Sequence, residues 1–283
     1  MLLDTGTHIV WVMDNTPVSP AHTVAAAVAT PAPVAGDPNT ITLTVMDSSG
    51  AVDTTFTGTK DVTLSGAQGI SVGLGCGSFH SFSIPDDGTL TTPVAFTNGV
   101  ATPSLSLFKA GAQTISFGVA GVTNPSASVS LTISPRPPAS MSLTQDISSP
   151  TSNGGQFAMQ PALKLTDSYA NLCTNDSSTQ VTASKSDSGD WTLTGNATVT
   201  AVNGIITFTD LGATNTAQVT GAQLRFTSTQ QINTYLSTGV TLPPASYNVT
   251  VQNDGNGTAS ASPASAPAGT EITLTATPVG GYR

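Results

Sequence analysis

The sequence predicts an all-β protein built of tandem β-sandwiches, and three observations carry that prediction. Short alternating runs such as ITLTV at 41–45 and LKLT at 163–166 recur along the chain, separated by turn residues. The composition suits strands and turns: only 8% of residues are charged, 27 are Gly, 19 are Pro, and Glu271 is the sole glutamate. Glu and Lys are favoured formers of surface helices, so their scarcity argues against long ones. The pattern also occurs twice. Leu-x-(Val/Leu)-x-Asp at 43–47 returns at 163–167, Val-Thr-x-Ser at Val62 returns at Val181, and Asn-Gly before a β-branched residue returns from Asn98 at Asn203. Such matches read as an internal duplication.

Residues 1–16 alternate, with His8, Val10 and Val12 on one face and Ile9, Trp11 and Met13 on the other. One strand is not stable alone in water, so this orphan is read as the end of a preceding module. Its alternatives are to complete the first sandwich or to pair with an open edge of another copy. Residues 17–134 form the first expected sandwich, opening near 24–34. Strands follow at 41–45 and 61–65, then a hairpin about Asn98-Gly99, then strands at 114–119 and 126–133. Asn-Gly suits the two positive φ angles of a type I′ turn. Pro135, Pro137 and Pro138 mark a semi-rigid linker over 135–139.

Residues 140–245 form the second expected sandwich, with strands at 140–144, 163–166, 181–184, 191–193, 199–202, 205–208, 219–226 and 240–242. The separation from Asp47 to Asn98 is 51 residues, and from Asp167 to Asn203 it is 36, so the first copy carries fifteen more. They are expected between 66 and 93. Residues 246–283 form a third unit, expected as two strands about a turn at 254–257, with too little apolar mass for a core of its own.

Charge removes several classes of function. Seven Lys and Arg face sixteen acids, a net charge of −9. That balance repels phosphate backbones and anionic bilayers, so neither nucleic acid nor a membrane surface is an expected partner. No run reaches the ~18 apolar residues of a membrane helix, so no membrane insertion is expected. The apolar stretch 24–34 is broken by Pro31 and Pro33 and is read as a strand. Any export signal or anchor is therefore expected outside this sequence. Cys76 and Cys173 are the only cysteines and fall in different sandwiches, which excludes a disulfide framework and reads as buried thiols.

Candidate site residues are few. Asp86 and Asp87 precede Gly88, a turn signal, with a calcium ion as the alternative reading. Cys76 and His80 are spaced C-x-x-x-H, but a zinc site needs four ligands and no second pair lies nearby. The run Gly73, Gly75, Gly77 has no following helix, so it is no dinucleotide fingerprint. Trp191 is expected inside its sandwich and Lys164 outside it, between two inward leucines. No catalytic constellation is visible, no cofactor is implied, and the chain is read as non-enzymatic. Insertions at the ends of sandwiches often carry recognition, so 66–93, with Cys76, His80, Asp86 and Asp87, is the candidate ligand-binding segment.

The stretches TLTVMDSSG with NGVA, and PALKLTDSYAN with VNGIITFTDL, resemble tandem bacterial immunoglobulin-like domains of adhesins and cell-wall proteins. The stretch GNGTASASPASAPAGTEITLTATPVGGYR resembles a divergent internalin-B-type repeat, a small β-grasp-like surface module. The two resemblances imply an extracellular, cell-surface or secreted region serving as a stalk. The alternatives are a module binding host or cell-wall glycans or proteins, or a filament subunit pairing through strand 1–16.

Overall fold

The computed structural model describes residues 22–70 and 73–281, and every regular element among them is a β-strand. The expected strand at 1–16 lies outside the described residues. Among the described residues the chain divides into two compact units: one holds those up to 69 with 75–107 and 112–132, the other holds the rest, namely those within 70–74, 108–111 and from 133 onward.

The first unit contains β1 (Thr23–Val28), β2 (Asn39–Met46), β3 (Gly58–Ser65), β4 (Gly77–Phe79), β5 (Phe82–Ile84), β6 (Leu90–Phe96), β7 (Val100–Ala101), β8 (Ser104–Leu107), β9 (Gly111–Val119) and β10 (Ser126–Ile133). One sheet runs β1-β2-β8-β4-β5, with β7 also on β2, and the other runs β10-β9-β3-β6. Period-two alternation sets the faces: in β2, Ile41, Leu43 and Val45 are buried while the threonines between them point outward. The sheets face each other across a shared core, where Phe79 of β4 meets Phe117 of β9 with ring centroids 5.6 Å apart. Burying each such ring contributes about 2–3 kcal/mol. Pro93 sits within β6, an edge strand, where a missing N–H is tolerated.

The second unit contains β11 (Ser140–Gln145), β12 (Ala162–Thr166), β13 (Gln180–Lys185), β14 (Trp191–Thr194), β15 (Thr198–Thr200), β16 (Ile205–Thr207), β17 (Gly212–Asn215), β18 (Val219–Ala222), β19 (Leu224–Ser228), β20 (Tyr235–Leu236) and β21 (Val240–Leu242). They pair as β11-β12-β16, β15-β13-β19-β20, β14-β17 and β18-β21. Leu163, Leu165, Val181, Ile206, Phe208, Leu224 and Phe226 fill the core, with Trp191 among them. The single strand expected at 219–226 is two, because Gln223 turns its N–H out of the ladder to the Asp187 carboxylate at 2.8 Å. The proline stretch 135–139 forms no strand, but it is not a free spacer. Arg136 donates its N–H to Asp167 (3.0 Å), Ala139 donates to the Thr166 carbonyl (2.8 Å), and the Pro135 carbonyl accepts from Asn175 (3.2 Å).

Four further strands close the chain: β22 (Ser246–Asn248), β23 (Gly257–Ser262), β24 (Ser265–Pro267) and β25 (Thr273–Pro278). The hairpin expected about 254–257 does not form. β23 pairs with β25 and β22 with β24, while Asp254 accepts the Asn256 N–H at 3.0 Å in a local turn. The expected shortage of core is visible here. Ala266 is the one buried residue among the described residues from 246 onward, and Leu274 is 66% exposed.

The duplication reaches the level of single hydrogen bonds. Asp47 accepts the N–H groups of Ser49 and Ala51 on one oxygen, and Asp167 accepts those of Tyr169 and Asn171. Asn98-Gly99 and Asn203-Gly204 both take positive φ, as a type I′ turn requires. Gly99 accepts from Val45 and donates to Phe56; Gly204 accepts from Leu165 and donates to Asp176. β4 pairs with β8 as β14 pairs with β17, but the second copy has no strand matching β5. The surplus of the first copy is therefore a hairpin arm, not an irregular loop.

Candidate functional site

The described residues of 66–93, which leave out 71 and 72, are arranged around that arm. Gly77 explains much of the glycine run: a Cβ there would lie 1.9 Å from the Ser106 carbonyl oxygen, and one at Gly75 would lie 2.5 Å from that of Ile84. Close approach of backbones, not phosphate binding, requires these glycines. Cys76, Phe79 and Ile84 are fully buried and anchor the hairpin to the core. The Cys76 thiol donates to the Pro85 carbonyl at 3.0 Å, and burial pushes its pKa up, with Asp86 and Asp87 adding to the effect.

The four residues singled out are spread along the segment and differ in exposure. Cys76 is buried at the base of β4 and His80 is exposed at its tip, four residues along an extended strand, roughly 13 Å. Co-ligation of one ion by that pair is thus precluded. His80 donates its backbone N–H to Ser104 at 2.8 Å, continuing the β4–β8 ladder. Asp87 caps Thr89 (2.9 Å), and Gly88 closes a turn onto Pro85 (3.0 Å), so 85–88 is the turn that the sequence suggested. Among the described residues no group of three or more His, Cys, Asp or Glu is placed to hold a metal ion.

Other chemistry-bearing side chains are spent on structure. Trp191 is 5% exposed and donates its indole N–H to both Asp187 oxygens (2.8 and 3.1 Å), with the Lys185 ammonium 5.6 Å from its ring. Burial opposes the charge on Asp187, but donation from Gln223, Trp191 and Gly189 outweighs it and holds its pKa below the usual carboxylate value. Burial pushes the Cys173 thiol up to about 12, helped by Asp167 and Asp176. Lys164 is exposed in mid-strand. His22 and Asp53 are buried with Nε2 and Oδ2 2.9 Å apart, an ion-pair distance without hydrogen-bond alignment.

Sequence reasoning missed Phe82. It lies directly opposite the fully buried Phe79, yet it is 50% exposed. The available signal was two phenylalanines separated by two residues, a hairpin spacing disguised by the lack of Asn or Gly in the turn. Two open depressions of about 360 Å³ lie elsewhere, one beside Asn253 and Asn256, the other beside Asp61 and Gly121. Neither is lined by His, Cys or an aromatic ring.

Comparison with known proteins adds a family for one end of the chain. Residues 247–283 match the divergent InlB B-repeat domain. No curated protein matches. Among solved structures, the Yersinia pseudotuberculosis adhesin InvE is 16% identical with a TM-score of 0.29, over 81% of this chain and 59% of that one. InvD of the same species is 16% identical with a TM-score of 0.38, over 85% of this chain and 62% of that one. A β-glycosidase from Bacteroides vulgatus is 12% identical with a TM-score of 0.30, over 76% of this chain and 24% of that one. The chain thus spans about three fifths of the length of those two Yersinia structures.

Proposed function

We propose that the chain is a non-catalytic, extracellular region of a bacterial surface or secreted protein, in which residues 17–134 and 140–245 act as spacer modules ahead of a repeat at 246–283. The observation that carries this reading is the duplication itself, in which both copies keep the same aspartate-capped turn and the same Asn-Gly turn. The buried or half-buried carboxylates Asp167, Asp176 and Asp187 each accept hydrogen bonds from the N–H groups of their own turns. The match of 247–283 to the divergent InlB B-repeat family agrees with the resemblance that suggested surface location.

Two measurements test the reading. Antibody raised to the folded chain should label intact cells of the source organism, and pulling on the chain should give two separate sandwich unfolding steps. The steps should release roughly 40 and 36 nm, the extended lengths of residues 17–134 and 140–245 at ~3.4 Å each. Labelling only after permeabilisation, or a single cooperative rupture, would overturn it. An adhesive role for segment 66–93 is a second reading, favoured by one observation: Phe82 stands half-exposed on an ordered arm that the second copy lacks.

A further inference from the structure

We propose that the β4–β5 hairpin is a recognition arm for neutral carbohydrate, with Phe82 as the stacking ring and His80 and Ser81 as its hydrogen-bonding neighbours. The inference rests on the adhesive reading of 66–93 and gives it a ligand class.

The arm is surplus to the fold. The second copy builds the equivalent β14–β17 pair and closes its core with nothing in the place of β5. The turn is also costly. His80 and Ser81 have φ of 48° and 70°; Asn, Asp and His enter that region more readily than other side chains, so the cost falls on Ser81, which stands where glycine is favoured. The two other tight turns in the duplicated pattern use Asn-Gly for the same geometry. A chain that twice uses the favoured pair, and here displays His and Ser instead, is not optimised for turn stability at this point. The base is rigid, since Cys76, Phe79 and Ile84 are all fully buried, so the tip is presented by a fixed mount.

The chemistry of the tip selects the ligand. No Lys or Arg occurs between Lys60 and Lys109, and Asp86 and Asp87 follow closely, so the arm itself offers sulfated, sialylated or phosphorylated ligands no ammonium or guanidinium counter-charge. A peptide strand is a poor occupant, because β5 is only three residues long and Pro85 follows it. A half-exposed aromatic ring beside an imidazole and a hydroxyl fits the C–H face and hydroxyl groups of an uncharged sugar.

The test is a glycan array carrying neutral and anionic glycans alongside immobilised matrix proteins, probed with the 283-residue chain and three variants. The unmodified chain should bind a subset of the neutral glycans. Phe82→Ala should weaken binding at least about tenfold, about 1.4 kcal/mol, while Phe82→Tyr retains it. The double variant His80→Asn, Ser81→Gly should raise the thermal midpoint by roughly 3–6 °C while weakening binding. That combination separates display from structure, because a merely structural turn would gain stability and leave binding unchanged. Binding confined to anionic glycans or to proteins, indifference to Phe82→Ala, or a lowered midpoint in the double variant would each overturn the proposal. Failure of cell-surface labelling would remove the surface reading and leave sugar binding by the purified chain to be judged separately.

Discussion

Gly204 provides a test of how tightly the second sandwich depends on its Asn-Gly turn. Gly204→Ala imposes two separate penalties. A side chain at φ +75° costs about 1–2 kcal/mol by itself. The new Cβ would also lie 2.7 Å from the Cys173 carbonyl oxygen and 3.0 Å from its carbon, so the turn must move. Movement weakens the bonds from Gly204 to Asp176 (2.7 Å) and from Leu165 to Gly204 (2.8 Å), each worth about 1 kcal/mol net. The expected loss is therefore about 3–4 kcal/mol. Gly221 has the same φ of +75° with nothing within 4 Å of where a Cβ would stand, so Gly221→Ala carries the conformational penalty alone, about 1–2 kcal/mol. Urea unfolding followed by Trp191 fluorescence, in a Trp11→Phe background, would read both. With a slope near 2 kcal/mol per molar, the two midpoints should differ by about 1 M. Equal losses in the two variants would refute the claim that close backbone approach, beyond positive φ, makes this glycine necessary.

Other expectations follow from the same geometry. Asp176 and Asp187 are both held below the usual carboxylate value, each against its own burial, by hydrogen-bond donors. Their stabilisation is complete above the unfolded value near 3.9 and lost as pH falls through the lower folded values, so thermal midpoints of the second unit should hold from pH 7 to 5 and drop below about pH 4. Asp187→Asn should blunt that acid decline; an unchanged profile would discount the Trp191–Asp187 contact. Burial of both thiols should leave Cys76 and Cys173 silent to a thiol reagent at pH 8 in the folded chain and fully reactive in denaturant. Phe117→Ala, which empties the ring space beside Phe79, should cost about 3–5 kcal/mol in the first unit and leave the second unit's midpoint unmoved.

The all-β class and most strands were legible because half-buried strands alternate and the turns carry Asn-Gly or Asp-rich signals. Strand 41–45, with its buried Ile41, Leu43 and Val45, is the clear case. Where the reading failed, a nonlocal partner had decided the outcome. Residues 219–226 look like one strand until Asp187, far away in sequence, takes the Gln223 N–H. Residues about 254–257 carry a turn signal and do turn, but β23 finds β25 and not the segment preceding the turn. Within the candidate site, the turn at Asp86-Asp87-Gly88 was visible, whereas the separation of Cys76 from His80 depends on β4 being extended and sealed into the core at its base. Phe82 escaped because exposure cannot be read from residue type, and because its turn lacks the residues by which such turns are recognised.

The two copies differ in an informative way. At the position where the first places Asp53, facing His22, the second places Cys173, with an aliphatic Ala139 where the first has His22. The backbone bonds around both positions are nevertheless the same: Asp53 donates to Val45 as Cys173 donates to Leu165. A loop whose hydrogen-bond pattern persists while its side chains change from an ion pair to a thiol is being kept for its geometry. Conserved backbone bonds with exchanged side chains mark this loop as a structural part of the sandwich in both copies. β5 and its turn show the opposite behaviour: the first copy alone has them, at a conformational cost, with the ring of Phe82 turned half into solvent. This asymmetry between otherwise matching modules is what singles out the arm for the binding test.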